Sequence, residues 1–256
     1  MVKRIIRLSV YVLLGLVLIV LTMIGAAPAR KLRAYEQAAV ADSLFMAHVD
    51  SAYQAAGLGP LLKEAAYKKA LLALAAYDSI AMIISLPDSA VMLAIHGVVI
   101  HSSRISGFEQ DDVLSKLSPI AYSRMFSTPV QVTGLYSTIV KEPIVERQAP
   151  KDTMEASLNA FKPDTLIQNP GFLLMEIEYG IRLVLEQDSL DTPESVKVGR
   201  AFRRQLARQD AERMFLGLSQ GTIPDYTPAI TLALPLDDLR SVYRALPAIP
   251  YVVVRM

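Results

Sequence analysis

The chain contains no cysteine, no tryptophan and only three histidines. Without cysteine there is no disulfide framework, no thiolate nucleophile, no cysteine-ligated metal and no acylated-cysteine anchor. With three histidines, few side chains change charge near neutral pH. An excess of one charge sign is also missing: 26 Lys and Arg stand against 25 Asp and Glu. That balance removes the basic surplus of a nucleic-acid binder and any global bias toward acidic substrates. No glycine-rich phosphate loop, internal repeat or low-complexity segment occurs, and the 12 glycines are scattered as turn and cap residues.

What is present is a long apolar run. Leu8 to Ala27 is free of charge, and at about 1.5 Å per helical residue it reaches roughly 30 Å, the thickness of a bilayer core. It predicts a transmembrane helix at 8–27 behind a short cytoplasmic tail, 1–7. Ala27-Pro28-Ala29 resembles a cleavage site, but the run is longer than a secretory signal core and a proline sits inside the site, which favours a retained anchor. Lys3, Arg4 and Arg7 before the run nearly balance Arg30, Lys31 and Arg33 after it. A short amino tail before a large domain then places the C-terminal part outside the cytoplasm, on a single-pass protein of the inner membrane.

Residues 28–77 read as a helical stalk or hairpin. Leu32, Tyr35, Ala39, Met46, Val49 and Tyr53 recur at helical spacing, Gly57 to Pro60 breaks the pattern, and a second apolar stripe runs from Leu61 to Ala76. At Asp78 the period changes to two. Ile80–Leu86, Val91–Ile95 and Val98–Ile105 predict a meander with turns at Pro87-Asp88-Ser89 and His96-Gly97. Asp111 caps a short helix, Val130–Val140 and Ile144–Arg147 read as strands, and 149–164 reads as loop. Phe172–Gln187 predicts a hairpin about Tyr179-Gly180. A helix opened by Asp191 or Thr192 with Pro193 in its first turn runs to Gly221. Strand, helix and strand close the chain at Ala229–Leu234, Leu236–Leu246 and Tyr251–Arg255. The expected fold class is therefore α+β: an N-terminal transmembrane helix, a helical hairpin, and a mostly antiparallel sheet domain with packed helices over 78–256.

Few residues offer chemistry. His96 and His101 lack a third ligand, and His48 belongs to a helix surface, so no metal site is nominated. Glu176 and Glu178 alternate on one expected strand, the arrangement of a carboxylate pair and equally of a wet strand face. Asp237 and Asp238 suit a helix start. Arg200, Arg203, Arg204 and Arg208 cluster on one helix, where guanidinium groups can bind an anion or a partner. They are the candidate binding residues.

The tail from Ala229 to Val254 resembles the end of L,D-transpeptidase catalytic domains, in which a nucleophile segment is followed by a helix, a proline turn and a last strand. Asp238, Leu239, Val242, Tyr243, Leu246, Pro247, Pro250 and Val252 to Val254 keep that rhythm. The meander at 80–105 resembles the family's opening strands. The resemblance puts Ala229 where the family has its cysteine, Thr231 at its arginine, Pro228 at its preceding glycine, and Tyr179 at its catalytic histidine. Alanine forms no acyl-enzyme. The resemblance thus implies a degenerate, non-catalytic domain that binds peptidoglycan or an envelope protein, with no cofactor and no catalytic residue. An assembly component of an envelope secretion or pilus machine is the alternative, and a carboxylate hydrolase using Glu176 or Glu178 a third.

Overall fold

The computed structural model describes residues 2–41, 58–141 and 169–256. Helix α1, Val2–Ala41, comes first, and α2, Leu58–Leu74, follows. Four strands come next: β1 (Ala81–Ser85), β2 (Ala90–Ile95), β3 (Val98–Arg104) and β4 (Gly107–Gln110). Two short helices, α3 (Asp112–Ser115) and α4 (Pro119–Phe126), precede β5 (Val130–Ser137). The hairpin β6 (Phe172–Ile177) and β7 (Ile181–Gln187) leads into the 27-residue α5 (Pro193–Ser219). The chain ends with β8 (Ala229–Leu234), α6 (Leu236–Ala245) and β9 (Tyr251–Arg255).

All nine strands join one sheet in the order β3-β2-β1-β9-β5-β6-β7-β8-β4. β1–β9 and β7–β8 are parallel and the other pairs antiparallel. β3 and β4 are consecutive in the chain yet lie at opposite edges. The link between them bonds to both sides: Ile105 N–H donates to Ser89 O and Ser106 N–H to Ala233 O. The sheet therefore curls until its edges meet, and strand β5 changes neighbour from β9 to β6 at a register shift, as strands at sheet corners do.

Alternation along the strands sorts the two faces. The concave face carries Met82, Ile84, Val91, Leu173, Met175, Leu183, Leu185, Ile230 and Leu232, packed on Tyr122, Met125 and Phe126 of α4 and on Leu239 and Val242 of α6. Outside, Tyr67, Ala70 and Leu74 of α2 cover Ala81, Ile83 and Val253. Phe202 of α5 covers Phe172, Leu174 and Val184. Burying a side chain such as Phe202 stabilises by ~2–3 kcal/mol. Gly199 permits the approach of α5, because a Cβ there would stand 2.7 Å from the Phe172 ring.

One expectation is overturned. Among the described residues no helix is long and apolar enough to cross a membrane, so the transmembrane helix expected at 8–27 is corrected. That stretch is the leading part of a 40-residue helix that continues through Pro28 without ending. Its second half carries Arg30, Lys31, Arg33 and Glu36 and docks on the sheet domain. There Tyr35 and Ala39 share the main core with Ala66 of α2, and Glu36 accepts hydrogen bonds from the backbone and hydroxyl of Ser118, the N-cap of α4. Two elements were not expected: α4, and the four-residue β4. The anticipated helix beyond Ala41, the strand at 144–147 and the loop at 149–164 lie outside the described residues.

Candidate functional site

The β6–β7 hairpin turns through Glu178, Tyr179 and Gly180. Tyr179 and Gly180 both sit in the left-handed region, at φ 66° and 67°. That conformation strains a tyrosine by about 1–2 kcal/mol and needs an anchor. Tyr35 of α1 supplies one, its hydroxyl donating to the Tyr179 carbonyl at 2.8 Å. Beyond the turn, Arg182 pairs in parallel register with Ala229, and its N–H donates to Pro228 O at 2.9 Å. Tyr179 and Ala229 therefore lie at the same end of neighbouring strands.

Arg182 projects to the outer face, under α5, and is only 4% exposed. Asp210 of α5 holds its Nη1 with contacts of 2.9 and 3.2 Å. Glu176, its cross-strand partner, keeps Oε1 3.9 Å from Nη2. Glu176 is itself bound by Arg213 Nη2 at 2.6 Å, while Arg213 Nη1 donates to Thr227 Oγ1 at 2.7 Å. Leu206, Asp210 and Arg213 fall on one side of α5 at spacings of four and three, which is why they reach the sheet together. Two cations and two carboxylates thus balance beside Ala229, the condition under which charges tolerate burial. Nε and Nη2 of Arg182 and Oε1 of Gln209 have no hydrogen-bond partner among the described residues.

A cleft of about 640 Å³ opens between α1 and the end of α5, with Arg30, Lys31, Arg213, Leu216, Asp225 and Tyr226 in its wall. Lys31 bridges to Asp225 at 3.1 Å, and Arg30 Nη1 donates to Ile223 O at 3.0 Å. Burial raises the Tyr35 hydroxyl pKa, with Asp225 and Asp111 adding to it. Burial raises that of Tyr226 as well, together with the hydrogen bond it donates to the Asp111 carboxylate. These phenols stay protonated donors at neutral pH. A smaller hollow of about 350 Å³ lies on the other side of Arg213, beside Tyr136, Glu176, Gln209 and Glu212. The cleft offers paired charges and the ring of Tyr226, whose hydroxyl is held by Asp111, but no thiol, since the chain has none.

The four arginines singled out from the sequence are not in this cleft. Arg203 pairs with Glu186 at 2.7 Å and Arg208 with Glu212 at 2.9 Å. Arg200 and Arg204 are exposed and make no ion pair among the described residues. Glu178 lies in the turn rather than on β6, so it and Glu176 do not share a strand face. His96, at φ 50°, lies 3.6 Å from Asp78, and His101 contacts Ser103 at 2.9 Å. His48 lies outside the described residues. Among the described residues no group of three His, Asp or Glu side chains is placed to hold a metal ion.

Sequence reasoning missed Arg182, Asp210, Arg213, Arg30 and Lys31. One signal was available: Arg182 interrupts the otherwise apolar start of β7, Ile-Arg-Leu-Val-Leu, and a charge inside such a run is buried only with a partner. No protein-family model matches the chain, and no curated protein or solved structure does.

Proposed function

We propose that the protein is a non-catalytic binding protein of the cell envelope, built on a scaffold like that of an L,D-transpeptidase without the nucleophile. One observation carries this reading. Ala229 and Tyr179, the positions where the resemblance puts cysteine and histidine, share one sheet end through the Arg182–Ala229 register. A thiol and an imidazole would be needed there for acyl transfer, and methyl and phenol groups stand in their place. Over them α5 lays Asp210 and Arg213 onto Arg182 and Glu176, which closes the outer face of these strands to a substrate. The neighbouring cleft between α1 and α5 stays open, its wall mixing charged side chains with apolar ones, and it is the surface that takes the ligand.

Co-sedimentation of the full chain with purified peptidoglycan tests the reading. The protein is expected in the pellet, with Lys31→Glu lowering the bound fraction by more than fivefold, and peptidoglycan fragments should emerge chemically unchanged. Absence from the pellet removes the wall-binding reading. Turnover of the fragments removes the non-catalytic one.

A further inference from the structure

One face of α5 points away from the sheet. Taken at helical spacing, one exposed stripe runs Lys197, Arg200, Arg204, Ala207, Arg208, Ala211, Phe215. It changes character along its length: cationic over the first three turns, then apolar. Phe215 is 73% exposed and its neighbour Leu216 58%. An aromatic ring and a leucine left in water beside each other mark a contact surface, since each is stabilised on leaving it.

This apolar end adjoins α1. Leu216 shares the large cleft with Ala27 and Arg30. From there toward the N-terminus α1 carries the exposed side chains Leu21, Ile19, Leu18, Val17, Leu14 and Tyr11. Arg30 and Arg33 are exposed where α1 reaches the domain. Two apolar surfaces from different parts of the chain therefore meet at one corner, with Arg30 beside it and Arg204 and Arg200 roughly 16 and 22 Å back along α5.

We infer that this corner docks on an anionic lipid surface. Apolar side chains enter the boundary between headgroups and acyl chains, while Arg200, Arg204, Arg30 and Arg33 meet the negative headgroups, the division of labour of interfacial helices. A bilayer face offers an apolar layer and anionic groups together, and Arg200 and Arg204, which make no ion pair among the described residues, select a negatively charged surface. The contact is with the face of a bilayer and is not a crossing of it. Arg30 and Leu216 belong to both surfaces, whereas Arg200, Arg204 and Phe215 lie outside the cleft and serve the lipid contact alone.

The test is flotation of the full chain with phosphatidylglycerol–phosphatidylcholine vesicles against phosphatidylcholine alone. Binding is expected only with the anionic lipid. At about fivefold per arginine, R200S/R204S should raise the lipid needed for half-binding roughly twenty-fivefold, and high salt should raise it too. Phe215→Trp adds the only tryptophan to a chain that has none, and its emission should shift to the blue on binding. Equal binding to both vesicles, or an unchanged R200S/R204S midpoint, overturns the inference. So does flotation without a shift from Trp at 215, which would assign the contact to α1 alone. Because these variants lie outside the cleft, peptidoglycan sedimentation should not change with them, and failure here leaves the wall-binding reading to its own test.

Discussion

The hydroxyl of Tyr35 donates a hydrogen bond to the backbone carbonyl of Tyr179 at 2.8 Å. One residue of the first helix thereby holds the turn that precedes Arg182. Because the turn is left-handed at a tyrosine, anchor and strain act against each other, and two substitutions separate them. Tyr35→Phe keeps the ring and removes the donor. It should lower unfolding free energy by ~1 kcal/mol, measured by urea denaturation. Tyr179→Gly relieves the backbone and should be neutral or stabilising, whereas Tyr179→Val, branched at Cβ, should cost about 1–2 kcal/mol. Equal losses for the two Tyr179 variants would refute strain at this position.

The ion pair between Arg182 and Asp210 is asymmetric. The Arg182 side chain is 5% exposed and that of Asp210 46%. Asp210→Ala strands a buried guanidinium whose Nε and Nη2 already have no hydrogen-bond partner among the described residues. Arg182→Met leaves a carboxylate that water can still reach. The first should cost on the order of 3 kcal/mol and the second ~1, with Arg182→Met/Asp210→Ala close to Arg182→Met alone. A double-mutant cycle checks this. The reverse order, or simple additivity, would show that the two side chains do not act as a pair.

How much of this was legible in the sequence depends on where the information sits. Strands β2, β8 and β9 and helix α6 follow from alternation and from turn residues adjacent in the chain. Helix α4 also had a local signature, Ser118 as N-cap with Pro119 in the first turn. Its buried Ala121, Tyr122, Met125 and Phe126 mix with half-buried neighbours too briefly to reveal a period. Strand β4 has none, because four largely exposed residues are held only by pairing with β8. Pro28 was read as a boundary, yet α1 runs through it. The charge network escaped because Glu176, Arg182 and Asp210 meet only once α5 crosses over the sheet, a relation no local pattern encodes.

Gly217 sets how closely the end of α5 approaches the loop that walls the cleft. A Cβ there would stand 2.7 Å from the Cα of Pro224, and a backbone atom cannot rotate away. Gly217→Ala should therefore displace Pro224 and Asp225, weaken the Lys31–Asp225 bridge, and lower stability by about 1–3 kcal/mol. Gly25, where a Cβ meets nothing within 4 Å, provides the control. Gly25→Ala should be neutral or slightly stabilising, as expected for an open helical site. Thermal melts of the two variants distinguish a packing effect from a general intolerance of alanine for glycine.

Alkaline pH should unfold the protein through its buried phenols. Tyr122 is fully buried, donates to the Val254 carbonyl at 2.9 Å, and has its pKa pushed up to about 12, chiefly by burial. Tyr35 and Tyr226 are raised for the same leading reason. A raised folded-state pKa means that the fold holds the proton more tightly than the unfolded chain does. Its contribution is complete below the unfolded value of 10.0 and is lost as pH climbs toward about 12. For Tyr122 the loss is of order 3 kcal/mol. Asp88 works in the opposite direction. The hydrogen bond from Ser85 and then Arg255 hold its carboxyl below 3.8, so its contribution disappears as pH falls through that region. Urea midpoints followed from about pH 9 upward should fall steeply past 10. Tyr35→Phe, which retains the ring and removes the titrating group, should flatten that fall relative to the native chain. An identical slope in the two proteins would show that the alkaline loss comes from other groups.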